Sequence, residues 1–214
     1  ANDLGEGLSA KGALEIRCST IISTDPADIA TCDAVLVALP GYAHKEIFDK
    51  IAAFLPDGLP IIVSSHVSFG ALYLKQILAE RGVTCPIICW GTTVVTGRRM
   101  PGGVTINTIR SKVDLCTVPE ISSSHGLALC QELFGDVFVP RAGLMAITLS
   151  NLNPQNHLGI AMGNMTRMER GEIWSQGQNI TPNVGRLMEK LDEERLAIAE
   201  TLGLRVRTIF EHFH

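Results

Sequence analysis

Long hydrophobic runs are absent from this sequence. No apolar run approaches the roughly 18 residues that a membrane-spanning helix needs. The first twelve residues contain no continuous apolar stretch, so the chain does not open like a secretory signal peptide. We therefore predict no association with membranes, and we expect the protein to be cytoplasmic.

Positive charge is also scarce. The chain has 18 lysines and arginines against 22 aspartates and glutamates, which gives a formal net charge of -4. A nucleic-acid-binding surface needs clustered basic residues to neutralise phosphates, whereas here they are scattered. The composition therefore argues against a nucleic-acid partner.

The six cysteines form neither a disulfide framework nor a metal-binding pattern. Most of them lie within or beside apolar segments of a 214-residue chain, which is much longer than a typical disulfide scaffold. Cys85 and Cys89 do not have zinc-finger spacing, and no second pair accompanies them. We predict buried free thiols and no metal site.

Alternating strand and helix patterns fill the first two thirds of the chain. The strands are predicted at 15–22, 34–39, 60–64, 86–90, 103–109, 113–118 and 137–139, and the helices at 45–55, 69–81 and 122–133. Strand–helix alternation is typical of a parallel sheet with helical crossovers. The sequence therefore predicts an α/β fold with a partial doubly wound, Rossmann-like sheet.

Strand patterns vanish from about Leu144, and long helical patterns replace them. Thr181 followed by Pro182 is a typical helix start. An apolar stripe follows at Val184, Leu187, Met188, Leu191, Ile198 and Leu202. We place a boundary near residue 143, with 1–143 as a partial dinucleotide-binding domain and 144–214 as the start of a helical catalytic or substrate domain.

A phosphate-binding loop is not recognisable at the start of the chain. Gly5, Gly7 and Gly12 follow no predicted strand and lack the G-x-G-x-x-G spacing, so we predict a flexible start or a surface turn. At the other end, about three helices would not bury their apolar faces alone. We therefore expect the sequence to be truncated at both ends.

The segment 146–164 carries the strongest candidate for chemistry. Pro154 suits a first helical turn with Asn153 as the cap, or a longer helix kinks at the proline. With either start, Asn153, His157 and Asn164 share a helix face, as would suit the wall of a site. Histidine exchanges protons near neutral pH. On the pattern alone, a structural or solvated histidine is the commoner case.

A cofactor contact is predicted where the most apolar strand ends, at Leu39, Pro40 and Gly41. Ligands of open α/β sheets bind at the carboxyl ends of strands. Pro40 lacks an N–H and Gly41 lacks a side chain, so the backbone can approach a flat ring closely. A simple turn is the alternative. Ser64–His66, at the end of the next strand, is a weaker candidate for a cofactor contact. His66 is predicted to lie on the surface or to support a residue that contacts the ligand. His44 is predicted to be structural or exposed.

The segment Asn151–His157 resembles the Asn-Pro-x-x-His segment of the octopine/nopaline (opine) dehydrogenase family. Further segments resemble that family in the same order, at Val35–His44, Trp90–Arg98 and Asn179–Pro182, the last leading into Asp192–Arg195. The resemblance implies NAD- or NADP-dependent reductive condensation of an amino acid with an α-keto acid, or its reverse, with His157 as general acid and base.

Three residues are predicted to bind substrate. Asn153 and Asn164 are included because they share the predicted helix face of His157. Arg98 is included because it matches an arginine in the corresponding segment of the family, although it is equally explained as a solvated surface residue. The family pairs its histidine with an aspartate from a later helical region, which this chain does not include, and Asp192 is not a good substitute. A homodimer is the oligomeric state that we consider for the protein.

Two other functions remain open. One is a related two-domain NAD(P)-dependent reductase of keto or hydroxy acids, without an amine substrate. The other is a non-catalytic fragment or interaction protein. The sequence does not distinguish NAD from NADP, and it does not name the amino acid or the keto acid.

Overall fold

A computed structural model describes residues 8–66, 69–101 and 103–213, with side chains described up to residue 211. The chain divides into two compact units, Ala1–Ile147 and Thr148–His214. This division lies close to the predicted boundary at residue 143, where the strand patterns of the sequence give way to helical ones.

Strands lie in the first unit. In the described residues they are β1 Leu8–Gly12, β2 Ile16–Cys18, β3 Val35–Val37, β4 Ile61–Val63, β5 Ile87–Trp90, β6 Val95–Met100, β7 Gly103–Ile109, β8 Val113–Val118 and β9 Phe138–Pro140. The α-helices are α1 Gly41–Ile51, α2 Gly70–Ala79, α3 Ser123–Phe134, α4 Leu144–Ser150, α5 Asn153–Gly163, α6 Met165–Glu169, α7 Pro182–Thr201 and α8 Ile209–Phe213. Short 3-10 turns occur at Pro26–Thr31, Ala52–Phe54, Glu120–Ser122 and Gly177–Asn179.

A five-stranded sheet of order β3-β4-β5-β8-β9 forms the centre of the first unit. Strands β3, β4 and β5 are parallel, and α1 and α2 connect them. All of β4 and β5 is buried, as expected for parallel strands covered on both faces. The predicted α/β, Rossmann-like fold is therefore confirmed. The sequence did not predict that β8 runs antiparallel to β5.

A second sheet of four strands, in the order β2-β1-β7-β6, was only partly predicted. Residues 8–12 form β1, which pairs in parallel with β7, so a flexible start or turn is wrong for them. A Cβ at Gly12 would collide with the Ile106 carbonyl, so glycine permits this approach. Gly5 and Gly7 lie outside the described residues. The polar strand β6 was not predicted at all.

All six cysteines are free thiols. Cys85, Cys89, Cys116 and Cys130 are buried, as predicted. The same prediction is wrong for Cys18 and Cys32, which are exposed. Cys18 lies on the short edge strand β2, and Cys32 follows the 3-10 turn Pro26–Thr31.

Helices α5 and α7 pack closely in the second unit. A Cβ on Gly159 would lie 2.8 Å from Met188 Cγ, and one on Gly163 would collide with Val184. The absence of these side chains therefore lets the two helices approach. Leu152, Ile160, Val184, Met188 and Ile209 form the apolar core of this unit.

The long helix α7 begins as predicted, with Pro182 in its first turn and the hydroxyl of Thr181 accepting a hydrogen bond from the Val184 N–H. Its predicted apolar stripe is only half right. Val184 and Met188 are buried, whereas Ile198 and Leu202 are about half exposed. Farther along the helix, the buried positions are Asp192, Arg195 and Ala199.

Candidate functional site

The helix that carries His157 begins after a break in the chain. Helix α4 ends at Ser150 and α5 starts at Asn153, with Pro154 in its first turn. The carboxamide oxygen of Asn151 accepts a hydrogen bond from the Asn153 N–H at 3.0 Å. Leu152 therefore occupies the cap position rather than the predicted Asn153, which is the first residue of the helix. Two separate helices replace the alternative of one kinked helix.

The exposed face of α5 carries His157, together with Asn153, Leu158 and Met162. The opposite face, with Gln155, Asn156, Gly159 and Ile160, is buried. Asn164 does not share the exposed face. It follows the end of the helix with φ -126° and ψ 22°, so helical spacing no longer applies to it. The predicted stripe is thus correct for Asn153 and His157 and wrong for Asn164.

The imidazole of His157 has one defined partner. Its Nδ1 lies 2.9 Å from the carboxamide oxygen Oε1 of Gln176. An amide oxygen only accepts hydrogen bonds, so this contact requires a proton on Nδ1. The neutral ring then presents Nε2 with a free lone pair, and Nε2 makes no hydrogen bond within the described part of the chain.

Asn164 is buried, and its side-chain nitrogen bonds to two backbone carbonyls. Its Nδ2 donates to the Ile160 carbonyl at 2.9 Å and to the Asn179 carbonyl at 3.1 Å. These bonds join the end of α5 to the turn that follows Gln176. Its predicted substrate contact remains a prediction, while the contacts present are structural.

A buried ion pair lies elsewhere in this unit, and the sequence pattern did not reveal it. The carboxylate of Asp192 accepts hydrogen bonds from Arg195 Nε at 2.9 Å, Gln155 Nε2 at 3.3 Å and the Ile209 N–H at 2.9 Å. Arg195 also donates to the carbonyls of Leu149 and Arg207. Asp192 is therefore occupied within the core, which agrees with its exclusion as a partner of His157.

In the first unit, Leu39 and Pro40 lie between the end of β3 and α1, and Gly41 is the first residue of α1, as the cofactor prediction requires. Leu39 and Pro40 are exposed, and Gly41 is partly exposed. The Leu39 carbonyl lies 3.1 Å from Nε2 of the buried His44, whose ring donates the hydrogen bond. This hydrogen bond holds the Leu39 backbone in place. The cofactor contact itself remains a prediction.

A pair of buried histidines lies beside this edge of the sheet. His44 and His66 are 4% and 1% exposed, so the prediction of a surface role for His66 is wrong. The Ala71 N–H donates to His66 Nε2 at 3.3 Å. Burial, together with the neighbouring His44, lowers the pKa of His66 to about 4. Within the described residues, Nδ1 of neither ring has a hydrogen-bond partner.

Arg98 lies on β6 of the four-stranded sheet and is exposed. Its Nη1 donates to the Gly97 carbonyl at 3.3 Å. An exposed guanidinium suits either of the two predicted roles, so its contact with a substrate carboxylate remains a prediction.

The described ranges contain neither a cluster of potential metal ligands nor a helix that could span a membrane. Residues 8–66, 69–101 and 103–213 contain no group of three or more His, Cys, Asp or Glu side chains that could hold a metal ion. No helix described there is long and apolar enough to cross a bilayer.

Comparison with known proteins gives a consistent set of relatives. A family model described as the alpha-helical domain of NAD/NADP octopine/nopaline dehydrogenase matches residues 140–214. The chain is 32% identical over 193 residues to an opine dehydrogenase from Arthrobacter sp. (strain 1C), covering 86% of this chain and 52% of that protein. It therefore spans about half the length of this relative.

Solved structures of opine dehydrogenases share the fold. Yersinopine dehydrogenase in its apo form superposes with a TM-score of 0.77 at 14% identity, over 96% of this chain and 54% of that chain. Octopine dehydrogenase with NADH and pyruvate gives a TM-score of 0.74 at 17% identity, over 92% of this chain and 55% of that one. The shared fold thus extends over nearly all of the chain.

Proposed function

We propose that the chain acts in an NAD(P)-dependent oxidoreductase of the opine dehydrogenase type, on the premise of its similarity to the octopine/nopaline dehydrogenase family. The proposed reaction joins the amine of an amino acid to an α-keto acid by reduction of their imine, or runs in reverse. In this assignment the first unit binds the dinucleotide and the second unit carries His157, which exchanges the substrate proton.

One observation supports the role of His157 above all others. Its ring lies on the exposed face of α5 with Nδ1 held by Gln176, so the neutral imidazole presents Nε2 outward as a proton acceptor. In the proposed mechanism, Nε2 takes the proton of the substrate nitrogen in the oxidative direction and returns it in the reductive direction.

The residues after β3 fit a dinucleotide. They lie at the carboxyl end of three parallel strands, where open α/β sheets bind ligands. Leu39, Pro40 and Gly41 would hold the cofactor there, because His44 bonds to the Leu39 carbonyl and Leu39 and Pro40 are exposed. The nicotinamide, NAD or NADP, supplies the hydride when bound.

The substrate contacts are proposed from exposure and chemistry. Asn153 lies one helical turn before His157 on the same exposed face, so its amide would bond a carboxylate close to the imidazole. The exposed guanidinium of Arg98 remains a second proposed carboxylate contact. A homodimer and a cytoplasmic location remain predictions.

Oxidation of NADH or NADPH by the longest natural form of the protein tests this function. We expect turnover only when an α-keto acid and an amino acid are both present. Turnover with the keto acid alone would instead identify a simple keto-acid reductase. No turnover and no binding of either cofactor would contradict the proposal and favour a non-catalytic role.

The role of His157 needs a matched pair of variants. His157→Gln keeps a polar side chain but cannot exchange a proton at neutral pH, so we expect kcat/KM to fall by about 10²–10⁴-fold. His125→Gln, at an exposed position on α3, serves as the control. Turnover of the His157 variant near that of wild type would overturn the assignment.

A further inference from the structure

Two buried histidines lie close to the turn that follows β3. His44 belongs to α1 and His66 follows β4, and their exposed fractions are 4% and 1%. Burying a polar ring costs free energy unless its nitrogen atoms form hydrogen bonds. The bonds that each ring makes therefore indicate what it contributes to the fold.

His66 connects the end of β5 to the start of α2. Its backbone N–H donates to the Trp90 carbonyl at 2.7 Å, and its ring Nε2 accepts from the Ala71 N–H at 3.3 Å. Ala71 is the second residue of α2, so its N–H has no carbonyl partner within that helix. The cap residue Phe69 provides no side-chain acceptor. The His66 ring therefore supplies the acceptor that the start of α2 needs.

The start of α2 in turn contacts the ring of His44. A Cβ on Gly70, the first residue of α2, would lie 3.5 Å from His44 Nδ1 and 3.7 Å from Phe48 Cε2. The rings of His44 and Phe48 have their centres 5.4 Å apart. The His44 ring is therefore enclosed between its own helix α1 and the start of α2.

His44 bonds to the turn for which we propose a cofactor contact. Its Nε2 lies 3.1 Å from the Leu39 carbonyl oxygen, and only a proton on Nε2 makes this contact a hydrogen bond. Within the described residues, Nδ1 of His44 has no hydrogen-bond partner, so the bond to Leu39 is the polar contact that defines the ring. The Leu39 carbonyl is thus oriented by a ring that α2 holds in place.

We propose that His44 and His66 are positioning residues for the cofactor: His66 fixes the start of α2, which encloses the ring of His44, and His44 fixes the turn Leu39–Gly41. This inference rests on the proposed function only for the identity of the ligand as NAD or NADP. The contacts predict opposite tautomers for the two rings, with the proton on Nε2 in His44 and on Nδ1 in His66. Both tautomers are properties of the chain and are measurable without a cofactor.

Nitrogen-15 NMR of the histidine side chains tests the two tautomers. The signals are identified by their loss in His44→Gln and His66→Gln. At neutral pH we expect the Nε2–H form for His44 and the Nδ1–H form for His66, whose ring stays neutral there because burial and His44 lower its pKa to about 4. A majority of the opposite form in either ring would overturn the inference, because that ring could not then make its assigned bond.

Three variants of α1 separate the hydrogen bond from packing, with cofactor binding measured by calorimetry in the longest natural form of the protein. His44→Met keeps a side chain of similar size without a donor, and we expect the Kd for NADH or NADPH to rise about fivefold. His44→Gln provides an amide donor and should restore the Kd to within about twofold of wild type. Ile51→Val loosens the packing of the same helix, so stability should fall while the Kd stays unchanged. Equal Kd values in His44→Met and wild type would contradict the positioning role.

A double-mutant cycle tests whether His66 acts through His44. His66→Leu removes the acceptor of the Ala71 N–H, and we expect it to raise the Kd about threefold when His44 is present. In the His44→Met background the same change should leave the Kd unaltered, because the bond to Leu39 is already lost. An equal rise in both backgrounds would contradict the role assigned to His66. If circular dichroism shows that His66→Leu does not fold, the tautomers of the wild-type protein still decide the inference.

Turnover separates a displaced cofactor from a general loss of fold. We expect His44→Met to raise the KM of the cofactor about fivefold, while kcat and the KM values of the amino acid and the keto acid stay near wild type. His125→Gln, at an exposed position on α3, is the control. A change in all constants together would show that His44 only supports the fold, and would overturn the positioning role. If neither NADH nor NADPH binds to wild type, the proposed function fails together with this inference; if the cofactor binds equally to wild type and His44→Met, only this inference fails.

Discussion

Acidification should destabilise the first unit through a single buried ring. His66 is 1% exposed, its Nε2 accepts a hydrogen bond from the Ala71 N–H, and His44 is the titratable neighbour that affects it. Burial and His44 lower the pKa of His66 from 6.5 to about 4. The folded protein therefore keeps this ring neutral under conditions in which the unfolded chain protonates it.

The sign and size of the effect follow from linkage. Between these two pKa values the unfolded chain binds a proton that the folded chain does not, so the free energy of unfolding decreases as the pH falls. Each pKa unit corresponds to about 1.4 kcal/mol, so the complete effect is roughly 3 kcal/mol. About 2 kcal/mol of it is lost between about pH 8 and about pH 5.

Urea unfolding at several pH values measures this loss. Trp174→Phe leaves Trp90 as the remaining tryptophan, and Trp90 is buried in the first unit, so its fluorescence reports the unfolding of that unit. In this background His66→Gln keeps a hydrogen-bond acceptor but removes the titrating ring. Between about pH 8 and about pH 5, the parent should lose about 2 kcal/mol more of its free energy of unfolding than the His66→Gln variant.

The control is His125→Gln, which replaces an exposed histidine of the same unit. It should keep the full pH dependence of the parent. If His66→Gln and His125→Gln showed the same slope of stability against pH, burial of His66 would not be the cause, and the reasoning from its pKa would be refuted.

Two further predictions concern the stability of the second unit, measured by urea denaturation followed by circular dichroism. Gly163→Ala should lower the free energy of unfolding by about 1–3 kcal/mol, because its new methyl group collides with Val184. Gly185→Ala meets nothing within 4 Å and should stabilise α7 by about 0.5–1 kcal/mol. A larger loss for Gly185→Ala than for Gly163→Ala would contradict the packing of α5 on α7. Asp192→Ala should lower the free energy of unfolding by about 3–5 kcal/mol, because it leaves the buried guanidinium of Arg195 without its carboxylate. Glu193→Gln breaks an exposed ion pair with Lys190 and should lower it by less than about 1 kcal/mol. Equal losses in the two variants would show that the buried pair is not stabilising.

The local patterns of the chain predicted those features that depend on neighbouring residues. The predicted apolar runs 34–39 and 60–64 contain the parallel strands β3 and β4, although only β4 is fully buried, because β3 lies at the edge of the sheet. The pair Thr181–Pro182 starts a helix, as predicted. The same reasoning placed His157 on a helix with Asn153 beside it. The family resemblance likewise needed only short segments in the right order.

Helical spacing failed where the helix itself ended. Asn164 lies seven residues after His157, a separation that keeps two residues on one face only while the helix continues. Because α5 stops at Gly163, Asn164 turns into the core and bonds to Asn179 instead. The polar residues Asp192 and Arg195 occupy core positions of α7 because several backbone and side-chain groups converge on them.

The sequence by itself determined the class of fold, the change from strands to helices near residue 143, and the candidate His157, since each depends on residues close together in the chain. Tertiary structure alone decided the direction of β8, the burial of His66 and the pairing of His157 with Gln176. Those features depend on segments that meet only after folding, when burial and hydrogen bonding across 19 residues or more become available. The spacing of residues along the chain therefore does not predict these long-range contacts.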